Sequence, residues 1–222
     1  MSERALGGPA RGAGVRRLFF QTAALAGAAI ASGVARADEG GRVHQGRLLR
    51  IAAAPAYLHE SWAPSGGTGD AVHSGWGPAI DVTVGRFVRP RLAVAGNLQV
   101  AGIINRDETT LGTTYALDDT VHFVDMLTAL ADFYPDPARG LHAGGALGIV
   151  AITELDTHMG GTQTSWGPVV AAHVGWERFI SKRWSAGGLL RLSLYHYATD
   201  TPPPEASSNG VLASVLIAFT YD

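Results

Sequence analysis

Five histidines, His59, His73, His122, His158 and His196, fall at or near the ends of apolar segments, where imidazoles serve as metal ligands or general bases. Their separations repeat no ligand spacing, so solvent-facing side chains are expected and no metal site is assigned. Ser207-Ser208-Asn209 with Glu205 lies shortly after His196, yet nothing in the spacing assembles these groups into a triad. The chain has no cysteine, which excludes a thiol nucleophile and thiolate metal sites. A second set of polar residues interrupts apolar segments: Arg50, Asp81, Asn97, Gln99, His173, Glu177 and Arg191. Ionic groups inside a low-dielectric wall must be partnered. These seven are therefore expected to form an interior network of paired charges and hydrogen bonds. A gated route or small ligand pocket opening to one end is the sharper alternative. No catalytic residue and no cofactor is expected.

The elements that must position these groups are eight strand-like segments: Arg47–His59, Gly75–Val88, Arg91–Asn105, Asp118–Pro135, Leu141–Leu155, Ser165–Ile180, Trp184–Ala198 and Gly210–Tyr221. Each exceeds the five or six residues of an average soluble strand. The gaps between them alternate in length. Long connections at Glu60–Ser74, Arg106–Leu117, Asp156–Thr164 and Thr199–Asn209 are separated by tight ones at Arg89-Pro90, Asp136–Gly140 and Ser181–Arg183. Tight turns on one side and long loops on the other are the pattern of a closed barrel crossing an outer membrane.

Parity agrees, because alternate residues of a strand face opposite sides. Trp76, Pro78, Ile80, Val82 and Val84 oppose Ala79, Asp81, Thr83 and Gly85; Leu190, Leu192 and Leu194 oppose Arg191, Ser193 and Tyr195. One face carries large aliphatics and the other small or ionisable residues. Glycine, 29 of 222 residues, is about twice its ordinary share, which suits close packing in a small barrel. Aromatics gather near segment ends: Tyr57, Trp76 and Trp166 towards the long connections, and Phe133, Tyr134, Phe179, Trp184 and Tyr221 towards the short ones. Two interfacial girdles are expected from them. The stretch His122–Met126 alternates poorly and suggests a bulge.

Ahead of the segments, Arg16-Arg17 precedes an apolar run, Leu18 to Val34, that ends in Ala35-Arg36-Ala37. This is the order of a secretory signal, with cleavage expected before Asp38. Residues 38–46 then form a short lead-in and 47–222 a single barrel domain. The arginine pair also resembles a twin-arginine signal, so the export route stays open. Removing residues 1–37 takes away five Arg and one Glu and moves the formal charge from −2 to −6. An acidic chain has no basic footprint for nucleic acid.

Ser74-Gly75-Trp76-Gly77-Pro78 is echoed by Ser165-Trp166-Gly167-Pro168, 90 residues on. A duplicated half and chance similarity of two strands both account for it. Pro78 and Pro168 are expected at the first residues of their strands, where ladder bonding is incomplete.

With Phe133-Tyr134-Pro135-Asp136-Pro137 and Leu141-His142-Ala143-Gly144-Gly145, the region from Arg47 to Asp222 resembles the small outer-membrane β-barrels of Gram-negative bacteria. That class includes the OmpA transmembrane domain and OmpW-like proteins. The resemblance implies an all-β, eight-stranded antiparallel transmembrane barrel, an up-and-down meander with short periplasmic turns and long extracellular loops. It implies an outer-membrane location, with membrane lipid and the barrel-assembly machinery as partners, a small apolar solute as a candidate ligand, and a monomer. Such chains usually end in an aromatic residue; here Tyr221 is penultimate and Asp222 last. Lipid-modifying members resemble a His-x-Ser arrangement, and His196-Tyr197-Ala198 has Ala in the nucleophile position. The role expected is structural, surface-interacting or small-solute passage. Alternatives are a soluble periplasmic β-barrel binding an apolar ligand, which would point Ile80, Val82, Leu190 and Leu192 inward, and an outer-membrane lipid-modifying enzyme.

Overall fold

A computed structural model describes residues 44, 46–63, 71–110, 112–156, 162–199 and 206–222. The expected signal segment and cleavage point lie outside the described residues. Eight strands follow one another: β1 (Arg47–Ala63), β2 (Ala71–Arg89), β3 (Leu92–Thr110), β4 (Thr113–Asp136), β5 (Leu141–Asp156), β6 (Thr162–Phe179), β7 (Trp184–Thr199) and β8 (Ala206–Tyr221). Each pairs antiparallel with its sequence neighbours, and β1 pairs with β8 to close the barrel in simple up-and-down order. Closure leaves no edge with unpaired backbone groups.

The side chains are inverted relative to a soluble barrel. Ile80, Leu147, Val170, Leu190, Leu192 and Val215 stand outward, between 46% and 68% exposed. The charged residues Arg50, Asp81, Glu177 and Arg191 are buried within. A continuous apolar outer face has no partner in water and is the surface that a lipid bilayer covers.

Three expectations are corrected. The segments extend further towards the long-connection end than their alternation suggested. Arg106–Leu117, read as a loop, is a hairpin in which Arg106 pairs with Leu117 and Thr110 with Thr113. Gly112, at φ 78°, makes its turn. Strand β4 alternates regularly, with His122, Val124, Met126, Thr128, Leu130, Asp132 and Tyr134 all buried. The irregularities of β4 lie on either side of that stretch: Leu117 to Val121 spans four residues against the two from Ile104 to Arg106 on β3, and Phe133 to Asp136 spans three against two on β5. Pro78 and Pro168 sit well inside β2 and β6 on the outward face, not at strand starts. Pairing of β2 with β3 resumes only at Ala79, and that of β6 with β7 only at Val169, because proline offers no N–H to the ladder. The neighbouring strand closes in beside each proline: a Cβ on Gly77 would lie 1.8 Å from the Gly102 carbonyl oxygen, and one on Gly167 1.7 Å from that of His196.

Candidate functional site

The interior is stacked in levels, and strand parity dictates which residues enter each. At the short-turn end His44 fills the mouth. It is 1% exposed, its Nδ1 lies 2.5 Å from Asp222 Oδ2, and its ring packs on Phe179 (4.5 Å), Tyr134 (5.1 Å) and Phe87 (5.7 Å). Asp222 also donates its backbone N–H to Arg183 O, and Arg183 Nη1 donates to Tyr221 Oη at 2.8 Å. The last two residues therefore tie the chain end to this mouth.

Immediately above, Arg50 Nη2 donates to Asp132 Oδ2 (2.9 Å), Tyr134 Oη (2.9 Å) and Glu177 Oε1 (3.0 Å). Glu177 Oε2 accepts from Ser185 Oγ at 2.6 Å. His142 Nδ1 lies 2.9 Å from both Asp132 oxygens, and His173 Nε2 lies 3.2 Å from Oδ1. One level higher, Arg191 Nη1 donates to Asp81 Oδ2 (2.8 Å) and Asn97 Oδ1 (2.6 Å). Asn97 Nδ2 donates to Asp81 Oδ1 (2.8 Å) and Thr83 Oγ1 (2.9 Å), and Gln99 Nε2 to Ser214 Oγ (3.2 Å). These short bonds, many to ionised groups, make the two levels together a plug to which all eight strands contribute side chains.

An apolar section follows, lined by Ala54, Ala56, Leu58, Ile103, Val124, Ile152 and Leu212. Above it, at the long-connection end, a third polar group covers the section. Tyr195 Oη donates to Glu60 Oε1 (2.8 Å), Arg106 Nη1 donates to Glu154 Oε1 (2.8 Å), and His122 Nδ1 lies 3.1 Å from the same oxygen. Glu154 and His73 lie beyond the Trp76–Trp166 level. The hydrogen bond from His122, helped by Arg106, holds the Glu154 carboxyl down at about 2. Burial, helped by Arg106, pushes the His73 imidazole below its ordinary value.

All seven residues read from sequence as interior are inside and no more than 6% exposed. They do not form one network: Arg50, His173 and Glu177 belong to the lower level, and Arg191, Asp81, Asn97 and Gln99 to the next. Asp132, His142, Tyr134, Glu60, Arg106, His122 and Glu154 were missed. Counting every second residue along β4 from Met126 reaches His122, Asp132 and Tyr134, which the assumed bulge concealed.

Among the aromatics, Trp76, Trp166, Phe133 and Trp184 stand outward, Tyr57 packs on Trp76 at 4.9 Å, and Tyr221 packs on Trp184 at 5.2 Å. Tyr134 and Phe179 are corrections. Tyr134 is fully buried on the inward row of β4, and Phe179 shares the inward parity of His173 and Glu177 and stacks on His44. Of the five scattered histidines, His59 and His196 are exposed, with His196 Nδ1 3.0 Å from Asn209 Oδ1. His73 lies 3.2 Å from Glu108, and His122 is fully buried instead of solvent-facing. His158 and Glu205 are outside the described residues. The histidines that do converge are His142 and His173.

By sequence, no known family and no curated protein matches the chain. By structure it is similar to the outer membrane protein OprG from Pseudomonas aeruginosa, at 13% identity and a TM-score of 0.51, over 81% of this chain and 98% of that one. It is also similar to the outer membrane protein AlkL (13% identity, TM-score 0.48, 85% and 96% covered) and to Neisserial surface protein A (12%, 0.43, 76% and 96%). The likeness to OprG is one of fold. The chain has the fold of the small, eight-stranded outer-membrane β-barrels.

Proposed function

We propose that this protein is an integral outer-membrane β-barrel of the OmpA and OmpW-like class, exported with a cleaved signal. It performs no chemistry and acts as a structural and surface-interacting scaffold. The observation that carries this reading is the inversion of the wall, with large aliphatics outside and Arg50, Asp132, Glu177, Asp81 and Arg191 buried inside. The soluble-barrel alternative needs Ile80, Leu190 and Leu192 inward, and all three stand outward. A lipid-modifying reading finds no support at His196, which is exposed and faces Asn209. The plug at the short-turn end argues against steady passage of polar solutes. The apolar section above it supports a small apolar solute as ligand from the long-loop side. Outer-membrane lipid and the assembly machinery are the partners this architecture requires, and closure without an edge favours a monomer.

The test is mobility in SDS gels of the protein extracted from envelopes, with and without boiling. Detergent-dependent extraction with a heat-shifted band is expected. Release without detergent and one mobility in both lanes would overturn the proposal.

A further inference from the structure

The lower interior level holds an arrangement that ion pairing alone does not explain. His142-Ala143-Gly144 on β5 and His173-Val174-Gly175 on β6 run head to tail, with His142 opposite Gly175 and Gly144 opposite His173. Each imidazole occupies the room left by the partner's glycine. A Cβ on Gly144 would fall 2.5 Å from His173 Cε1 and 2.7 Å from its Nε2; one on Gly175 would fall 2.3 Å from His142 Nε2. Any larger residue at either position would displace a ring. Asp132 stands on β4 directly opposite Gly144, so a carboxylate and two imidazoles converge on one small area of wall.

Their ligand atoms all lie within 4.8 Å of one another, and all three residues are buried. His173 Nε2 is buried and lies 3.2 Å from Asp132 Oδ1, but makes no aligned hydrogen bond. Charge points the same way. Asp132 and Glu177 share the single guanidinium of Arg50, so two buried carboxylates face one arginine beside the two imidazoles.

We propose that Asp132, His142 and His173 form a binding site for one divalent first-row transition ion of the zinc type. Two imidazoles and a carboxylate are a donor set suited to such ions, with a fourth position left for water. Arg50 engages Asp132 Oδ2 and leaves Oδ1 directed at the histidines. Glu177 Oε1 lies 3.3 Å from His142 Nε2, the ring nitrogen on the far side from Asp132, where it would orient the imidazole for binding through Nδ1. The bound ion would join β4, β5 and β6 above the His44 closure.

Full-length mature protein without a histidine tag is refolded in detergent with Co2+ present, because His44 and its aromatic neighbours close the nearer mouth. Co2+ serves as the optical probe. One equivalent is expected to give ligand-field absorption that Zn2+ abolishes, that His173→Ala lacks, and that His196→Ala retains. No absorption from the folded wild type, or the same absorption in folded His173→Ala, overturns the proposal. If His173→Ala does not fold, the wild type decides alone. Zn2+ is expected to raise the temperature at which its compact gel band converts to the unfolded one, since a ligand of the native state stabilises it. An unchanged temperature overturns the site.

Discussion

Arg50 is the most exacting place to perturb the plug. Its Nη2 serves Asp132, Tyr134 and Glu177 at 2.9, 2.9 and 3.0 Å, and all four side chains are buried. Arg50→Met keeps much of the stem's volume, so the loss is electrostatic and not a cavity. Removing one partner of a buried ion pair costs ~3–5 kcal/mol. Two carboxylates lose the cation here, but Asp132 keeps His142 and Glu177 keeps Ser185, so the two losses do not add in full. A destabilisation of about 4 kcal/mol is expected on these grounds. Equilibrium urea unfolding of the barrel in lipid vesicles, followed by tryptophan fluorescence, measures it. Arg50→Met combined with Asp132→Asn and Glu177→Gln should recover most of the loss, because no charge is then left unpaired. A single variant within ~0.5 kcal/mol of the wild type, the range of ordinary surface changes, would refute the plug as a coupled electrostatic unit.

Two further outcomes follow from the wall and from the upper mouth. Gly167→Val would force a side chain into the His196 carbonyl oxygen and part β6 from β7, so loss of the heat-shifted folded band is expected. Gly96→Ala, whose nearest neighbour would be 4.0 Å away, should fold with stability unchanged or raised by up to about 1 kcal/mol; equal behaviour of the two would contradict the close approach. At the upper mouth, the depressed Glu154 group stabilises the folded state fully above its ordinary value of 4.5, and this is lost as pH falls towards about 2. His73, also depressed, adds a loss as pH falls below 6.5. Unfolding temperature should therefore decline on acidification. Glu154→Gln should flatten the decline between 4.5 and 2, and an unaltered slope would detach Glu154 from the effect.

Alternation and turn chemistry are local, and they were enough to read eight strands, their up-and-down order and the face on which Arg50, Asp81, Asn97, Gln99, His173, Glu177 and Arg191 lie. The repeat of two along a strand sets which side each residue takes, whatever its neighbours. Strand length was less legible. Polar residues such as Glu108, Thr109 and Thr114 read as loop, yet pairing across the hairpin holds them extended beyond the apolar belt. The same applies to Pro78 and Pro168, whose missing N–H was assigned to strand starts when an interruption inside the ladder accommodates it. Register was beyond the sequence altogether, because it depends on which residues of distant segments stand opposite one another. Only register sets His142 against Gly175, His173 against Gly144, and Asp132 beside them. Closure of the barrel then brings Arg50 across the interior to Asp132 and Glu177, 82 and 127 residues away in the chain. The sequence by itself determined which residues face inward; the tertiary structure alone decided which of them meet.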